Sequence, residues 1–202
     1  MTKITHLSQL DLTADYNYAD YLTWQFNETV ELIKGKIALM CPAPNVKHQR
    51  LSINLSSRLF FYFKNKPCQA FSAPFDVRLY DRKKSILANK EITTVVQPDI
   101  CVICDDSKLD EQGCNGAPDW IIEILSKGNS KKEVITKHSL YAQSGVIEYW
   151  VVYPYEEVIQ QFVLNAASAD YQLIASYADD GLISSHLFPD LSIDLADLFK
   201  DS

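Results

Sequence analysis

The chain has 202 residues, 47% of them hydrophobic, which is ample for the core of one domain spanning residues 1–202. A net charge of −7 argues against a broad, passive nucleic-acid-binding surface, leaving only local basic groups such as Lys47 with Arg50, and Lys127 with Lys131 and Lys132. No apolar run approaches the roughly 18 to 20 residues that span a bilayer, and Met1-Thr-Lys-Ile-Thr-His6 lacks the apolar core of a secretion signal, so a cytoplasmic location is expected.

In chain order, a short helix is predicted near 18–27. Val30 to Met40 reads as two strands turning at Lys34-Gly35, ended by Pro42 and Pro44. From Val46 to about Lys64, Leu51, Leu55, Leu59 and Tyr62 recur at three- and four-residue steps, which predicts the longest amphipathic helix. Strands follow near 68–72 and 74–80, a polar loop over 81–93, and strands near 95–104 and 119–125. A helix over about 130–143 stops at Gly145, with Ser130 and Glu133 at capping-box spacing. Strands near 147–153, 158–164 and 171–176 and a short helix near 194–199 complete the chain. Tyr149 and Trp150 read as core or interface aromatics. The order suits an α/β (α+β) fold, a mixed sheet flanked by helices.

Five cysteines stand at 41, 68, 101, 104 and 114, an odd number unlike the even, dense set of an extracellular disulfide scaffold. Cys101 and Cys104 have the spacing of a redox or zinc pair, but the odd offset on a strand sends them to opposite faces, so buried structural thiols are expected.

Two acids stand out by their company. Asp99 lies in Val95-Val-Gln-Pro-Asp-Ile-Cys-Val-Ile-Cys104 and Glu123 in Trp120-Ile-Ile-Glu-Ile-Leu125. Such apolar strands are usually buried on both faces, where an ionised carboxylate is costly without a cation, a metal or several donors. The two acids could converge on one divalent cation, or each could pair with a structural arginine or cap a loop.

Pro98-Asp99 followed on the next strand by Glu123 resembles the PD-(D/E)XK nuclease superfamily. More closely, the chain resembles its Uma-type putative restriction endonuclease family. The likeness is carried by Val30–Ile37, His48-Gln49, Phe75–Leu79, Val96–Ile100, Leu109–Asp119, Ile122–Ser126, Lys137–Tyr141 and Gly145–Val152, in order across about residues 20–165. The resemblance implies a restriction-endonuclease-like core, a homodimer, and a metal-dependent endonuclease acting on nucleic acid, DNA foremost. It implies that Asp99 and Glu123, with the Ile124 carbonyl, hold Mg²⁺ or Mn²⁺. The superfamily places a lysine two residues after the second acid, where this chain has Leu125; the family resembled carries it on the following helix, at Lys137.

Glu31 and His48 also fall on family-like positions. Glu31 could be a third carboxylate of the site or an exposed strand residue. His48 could contact metal-bound water or a phosphate, or be a capping or surface group. Gln97 is expected on the face that Asp99 shares, bonding water, substrate or a structural neighbour. Three readings are open: a metal-dependent endonuclease, a retired nuclease fold serving as an interaction module, and a metal hydrolase of a small anionic substrate.

Overall fold

A computed structural model of the chain describes residues 3–40, 45–80, 88–127, 131–178 and 180–200, Lys132 by its backbone alone. Cys41, Pro42, Pro44, the first part of the polar loop and Ser130 lie outside the described residues.

Asn17 caps a single helical turn, α1 (Tyr18–Tyr21), by accepting a hydrogen bond from the Asp20 amide. The predicted helix over 18–27 ends here because Trp24 is drawn into a bridge with Ile4 and into edge and tilted contacts with Tyr16 and Tyr21. The hairpin β1 (Val30–Ile33) and β2 (Lys36–Leu39) turns through Lys34 and Gly35, both at positive φ, as a two-residue type I′ turn requires. Helix α2 (Val46–Phe63) buries Leu51, Leu55, Leu59 and Phe63, while Tyr62 is half-buried.

β3 (Gln69–Ser72) and β4 (Val77–Arg78) follow, then β5 (Val95–Val96) and β6 (Ile100–Ile103). The strand predicted over 95–104 is therefore two strands, and they belong to different sheets. Pro98 has no N–H to give a ladder, so the chain leaves one sheet at Gln97 and enters the other at Ile100. β7 (Leu109–Asp110) and β8 (Gly113–Asn115), too short for any periodicity, complete the first sheet, in the order β2-β1-β5-β4-β8-β7.

β9 (Trp120–Ile124), α3 (Lys131–Ser144) and β10 (Glu148–Tyr153) form a crossover unit in which β9 and β10 run parallel, and a parallel pair needs such a helix. β11 (Val158–Asn165) and β12 (Asp170–Tyr177) extend the second sheet as a meander, giving the order β12-β11-β10-β9-β6-β3. A small hairpin, β13 (Leu182–Ser184) with β14 (Ser192–Asp194), leads into α4 (Leu195–Phe199). The architecture is mixed α/β. No described helix is long and apolar enough to cross a membrane.

Side-chain alternation sorts the second sheet into two faces. Ile100, Val102, Trp120, Ile122, Ile124, Trp150 and Val152 pack with α2, the small hairpin and α4. Cys101, Ile103, Ile121, Tyr149 and Val151 pack with α3 and with Val77, Val96 and Cys114 of the first sheet. Cys101 is a free, buried thiol as expected, but Cys104 is not: it forms a disulfide with Cys68. The antiparallel register that sets Gln69 opposite Ile103 places residue 68 opposite residue 104, a pairing invisible in the sequence spacing.

Glu148 is a third acid in an apolar strand, and its role is structural. Fully buried, it accepts hydrogen bonds from Trp150 Nε1, Gln161 Nε2, Ser185 Oγ and the amides of His186 and Leu187, at 2.7–3.0 Å. These bonds tie the segment before β14 to the sheet. Replacing Glu148 by Ala strands three buried donors and two part-buried amides, and the expected cost is more than about 3 kcal/mol. Urea unfolding at unchanged m-value measures it. A loss under about 1 kcal/mol would show that the donors find water instead.

Candidate active site

The break between the two sheets gathers the acids singled out in the sequence. On β9, alternation puts Glu123 on the same face as Ile121, toward α3. Helix α3 presents Lys137 and Tyr141 there, four residues apart on one helical face. Lys137 Nζ lies 3.0 Å from Glu123 Oε1, and Tyr141 donates its hydroxyl to the same oxygen at 2.5 Å. Leu125, at the position where the superfamily pattern has lysine, is half-buried against the apolar cluster on this same face. An amine reaching in from the helix stands beside Glu123 in its place.

Lys137 also pairs with Glu31 Oε1 at 3.1 Å. Glu31 is on β1 of the first sheet and Glu123 on β9 of the second, so one buried ammonium bridges acids from both sheets. Of the two openings the sequence left for Glu31, exposed strand residue or site carboxylate, the buried position beside Lys137 excludes the first. The Gln97 amide donates to Glu31 Oε1 at 3.0 Å. The Gln97 side chain turns elsewhere, donating to Asp76 Oδ1 at 2.9 Å, with the Tyr21 hydroxyl 3.4 Å away. Strand alternation carried from Gln97 to Asp99 fails because no continuous strand joins them, and the two side chains have different partners.

Asp99 sits just beyond the last ladder pair of β6 with β9, Ile100 with Ile122. Its Oδ2 accepts the Ile124 amide at 2.7 Å, where a strand partner is missing. Its Oδ1 faces His48 Nε2 at 3.3 Å. His48 is buried in the first turn of α2; the cap is Asn45, whose side chain accepts the His48 amide, so His48 is neither the cap nor a surface group. The N–H and C=O of one strand residue point to the same edge, so the Ile124 carbonyl faces the Asp99 side, and His48 bonds the Ile124 backbone there.

Electrostatics follow from this crowding. Burial pushes the Glu123 carboxyl up, Lys137 draws it back down, and the charges of Asp99 and Glu31 push it up again; the net is a rise. Burial draws the Lys137 amine down, but Glu123 and Glu31 overcome it, so the ammonium is held charged far above neutrality. For His48, burial is outweighed by the bond to Asp99, its charge and the Ile124 backbone, and the net shift is upward.

Two buried carboxylates thus share one permanent cation, with the part-buried Asp99 near enough to push Glu123 up, an excess of negative charge in a crowded place. Hard divalent cations take carboxylate and carbonyl oxygens and fill their remaining positions with water. Asp99, Glu123 and the Ile124 carbonyl are a donor set of that chemistry. Among the described residues no cluster of three or more His, Cys, Asp or Glu side chains forms a ready-made metal cage, so the fit is to a sparse, two-carboxylate site.

Asp76 is a further acid beside these groups, outside the candidates that the sequence offers. It accepts from Tyr18 at 2.9 Å as well as from Gln97, and its carbonyl receives the Cys114 amide. A Cβ on Gly113 would come within 2.3 Å of that carbonyl, and Gly113 has φ +124°, so only glycine fits the approach. The available signal was an acid within Phe75-Asp-Val-Arg-Leu79, a pattern like that around Asp99. Tyr141 was visible only as a helical neighbour of Lys137.

A family model described as "Uma2: Putative restriction endonuclease" matches residues 18–196. The chain belongs to this family. Within Uma2 terms, the match covers both sheets' acids and the whole β9–α3–β10 unit. A solved structure described as a putative nuclease belonging to DUF820, from Anabaena variabilis, superposes with a TM-score of 0.69 at 23% identity, over 92% of this chain and 98% of that one. It shows that the two share a fold. No curated protein matches the chain.

Replacing Lys137 by Met in this Uma2 protein leaves Glu31 and Glu123 buried without their counter-charge. The expected cost is about 3–5 kcal/mol by denaturant unfolding. Adding Glu123→Gln to that variant should recover part of it. An unchanged midpoint in the single variant would mean that the ammonium does not bridge the sheets in solution.

Proposed function

We propose that this protein is a nuclease that hydrolyses phosphodiester bonds of nucleic acid, DNA being the expected polymer, with the help of Mg²⁺ or Mn²⁺. The observation that carries the reading is the Lys137 ammonium lodged beside Glu123, one residue from the Ile124 amide that Asp99 binds. Family membership supports the same chemistry.

In this reading Asp99, Glu123 and the Ile124 carbonyl are the residues that would hold the metal. Bound there, a divalent ion supplies Lewis acidity and a water of lowered pKa. Lys137 remains charged and lies against one carboxylate, placed to neutralise charge building on the phosphate oxygens. Tyr141 fixes Glu123, and Glu31 fixes Lys137, so the reacting groups need little reorganisation. His48 orients Asp99 through Nε2, while its buried Nδ1 has no partner among the described residues, a place for a water or substrate oxygen.

Nucleic acid as the substrate gains support from the basic groups. Lys47 and Lys127, far apart in the chain, meet at the Tyr155 ring, 5.5 and 4.5 Å from its centroid. Asn45 donates to the Tyr155 hydroxyl at 2.8 Å, which places this cluster at the start of α2, next to His48. Lys47 also pairs with Glu157 at 3.5 Å, so the two lysines offset only part of the negative charge where a phosphate backbone would run.

A second reading keeps the fold as an interaction module without chemistry. Leu125 favours it, as do the ion pairs that already occupy Lys137. Calorimetry separates the two: an active site binds Mg²⁺ or Mn²⁺ specifically, and Asp99→Ala loses that binding.

In a cleavage assay with either metal on single- and double-stranded DNA and RNA, Lys137→Ala is expected to lower turnover about 10²- to 10³-fold, and Asp99→Ala to abolish activity. An Asp99→Ala protein cutting at the wild-type rate would refute the assignment.

A further inference from the structure

A cleft of about 260 Å³ opens beside the site, walled by Tyr21, Trp24, Phe26, Asn27, Pro74 and Gln97 among others. Two hydrogen bonds tie its walls to the candidate acids. The Gln97 amide binds Glu31, and Ala73, next to Pro74, donates its amide to the Asp99 carbonyl at 3.0 Å. Its aromatic wall is an array: Tyr21 and Trp24 have ring centroids 5.3 Å apart, and Trp24 and Phe26 lie 5.8 Å apart and within 25° of parallel. Trp24 and Phe26 are half-buried, neither sealed in the core nor loose on the surface. Polar residues also line the cleft, Asn27, Glu28, Thr29 and Gln97, the last with its side-chain amide donating to Asp76.

Building on the nuclease reading above, we infer that this cleft binds one unpaired base of the substrate strand, so that the enzyme prefers single-stranded or locally unpaired nucleic acid. Flat rings together with polar residues such as Asn27 and Thr29 in one cleft match a nucleobase, which offers a π-face and a hydrogen-bonding edge. Phosphate does not suit the cleft: among the described residues no lysine or arginine lines it, and Glu28 would repel the anion. The strand's phosphates belong instead at the carboxylate site and along Lys47 and Lys127. The size admits a single ring system, not a duplex. A base inside a duplex has its faces stacked and its edge paired, and can enter only by leaving the helix. The scarcity of cationic surface on an acidic chain agrees, since stacking then replaces part of the backbone attraction.

Tryptophan fluorescence tests this directly. The chain has three tryptophans, and Trp120 and Trp150 are fully buried, so a ligand in the cleft quenches Trp24 alone. With EDTA present to prevent cleavage, the full-length protein is titrated with single-stranded DNA and RNA decamers, the matching duplexes, and a decamer of abasic spacers with the same phosphates. Saturable quenching by the single strands is expected, with little from duplex or abasic strand. Trp24→Phe should remove the signal, and Phe26→Ala or Asn27→Ala should weaken binding, the former about five- to a hundredfold. Quenching by DNA but not RNA, or the reverse, supports the cleft and identifies the sugar it accepts. Equal quenching by the abasic strand or by duplex overturns the inference, as does the absence of quenching in a protein that still cleaves with metal. Base-dependent quenching without any metal-dependent cleavage supports the cleft and sinks the nuclease reading instead.

Discussion

A single ammonium holds the centre of this molecule together. Lys137 comes from the helix that joins two parallel strands of the second sheet, yet it lies within 3.1 Å of acids from both sheets. Buried like charges repel strongly, and Glu31 and Glu123 could not share this space without a cation. The place where the two sheets meet is therefore also the place where excess negative charge collects. Packing and chemistry are consequences of one electrostatic demand, which explains why the candidate site lies at the junction and not on an outer face.

The chain path makes this junction possible. Between β5 and β6 only three residues, Gln97, Pro98 and Asp99, carry the chain from one sheet to the other. Proline stops the first ladder, and the Asp99 carboxylate then accepts the Ile124 amide that the ladder no longer serves. The Gln97 amide likewise goes to Glu31. Backbone donors freed by the crossover are satisfied by carboxylates, and those carboxylates become the site. Glu148 shows the contrast within the same fold: five neutral donors satisfy its oxygens, it shares no cation with another acid, and it anchors the C-terminal segment. A buried acid in an apolar strand is thus not a functional signal by itself; the sign of its neighbours decides.

Much of the scaffold was legible in the residues. The apolar steps of α2, the Lys34-Gly35 turn, the strand–helix–strand order around α3 and the meander through β12 all follow local patterns that physics enforces within a few residues. So did the choice of Asp99 and Glu123, because charges in apolar strands are costly wherever the strands go. Less legible were contacts set by register: the Cys68–Cys104 disulfide, the separation of Gln97 from Asp99, and the two- and three-residue strands. Each depends on which strands become neighbours, and a segment of two residues has no period to read.

The sequence alone determined which side chains could not be left unpaired, the order of the elements, and the family whose motifs those residues share. Only the tertiary structure decided who would pair with whom. It brought Glu31 from one hairpin, Asp99 from a crossover, Glu123 from a strand and Lys137 from a helix into one buried cluster, and gathered Trp24 and Phe26 beside it. Local preferences act over a turn or a strand pair, whereas these meetings span more than a hundred residues, as from Glu31 to Lys137, and are fixed by the closing of two sheets on a shared core.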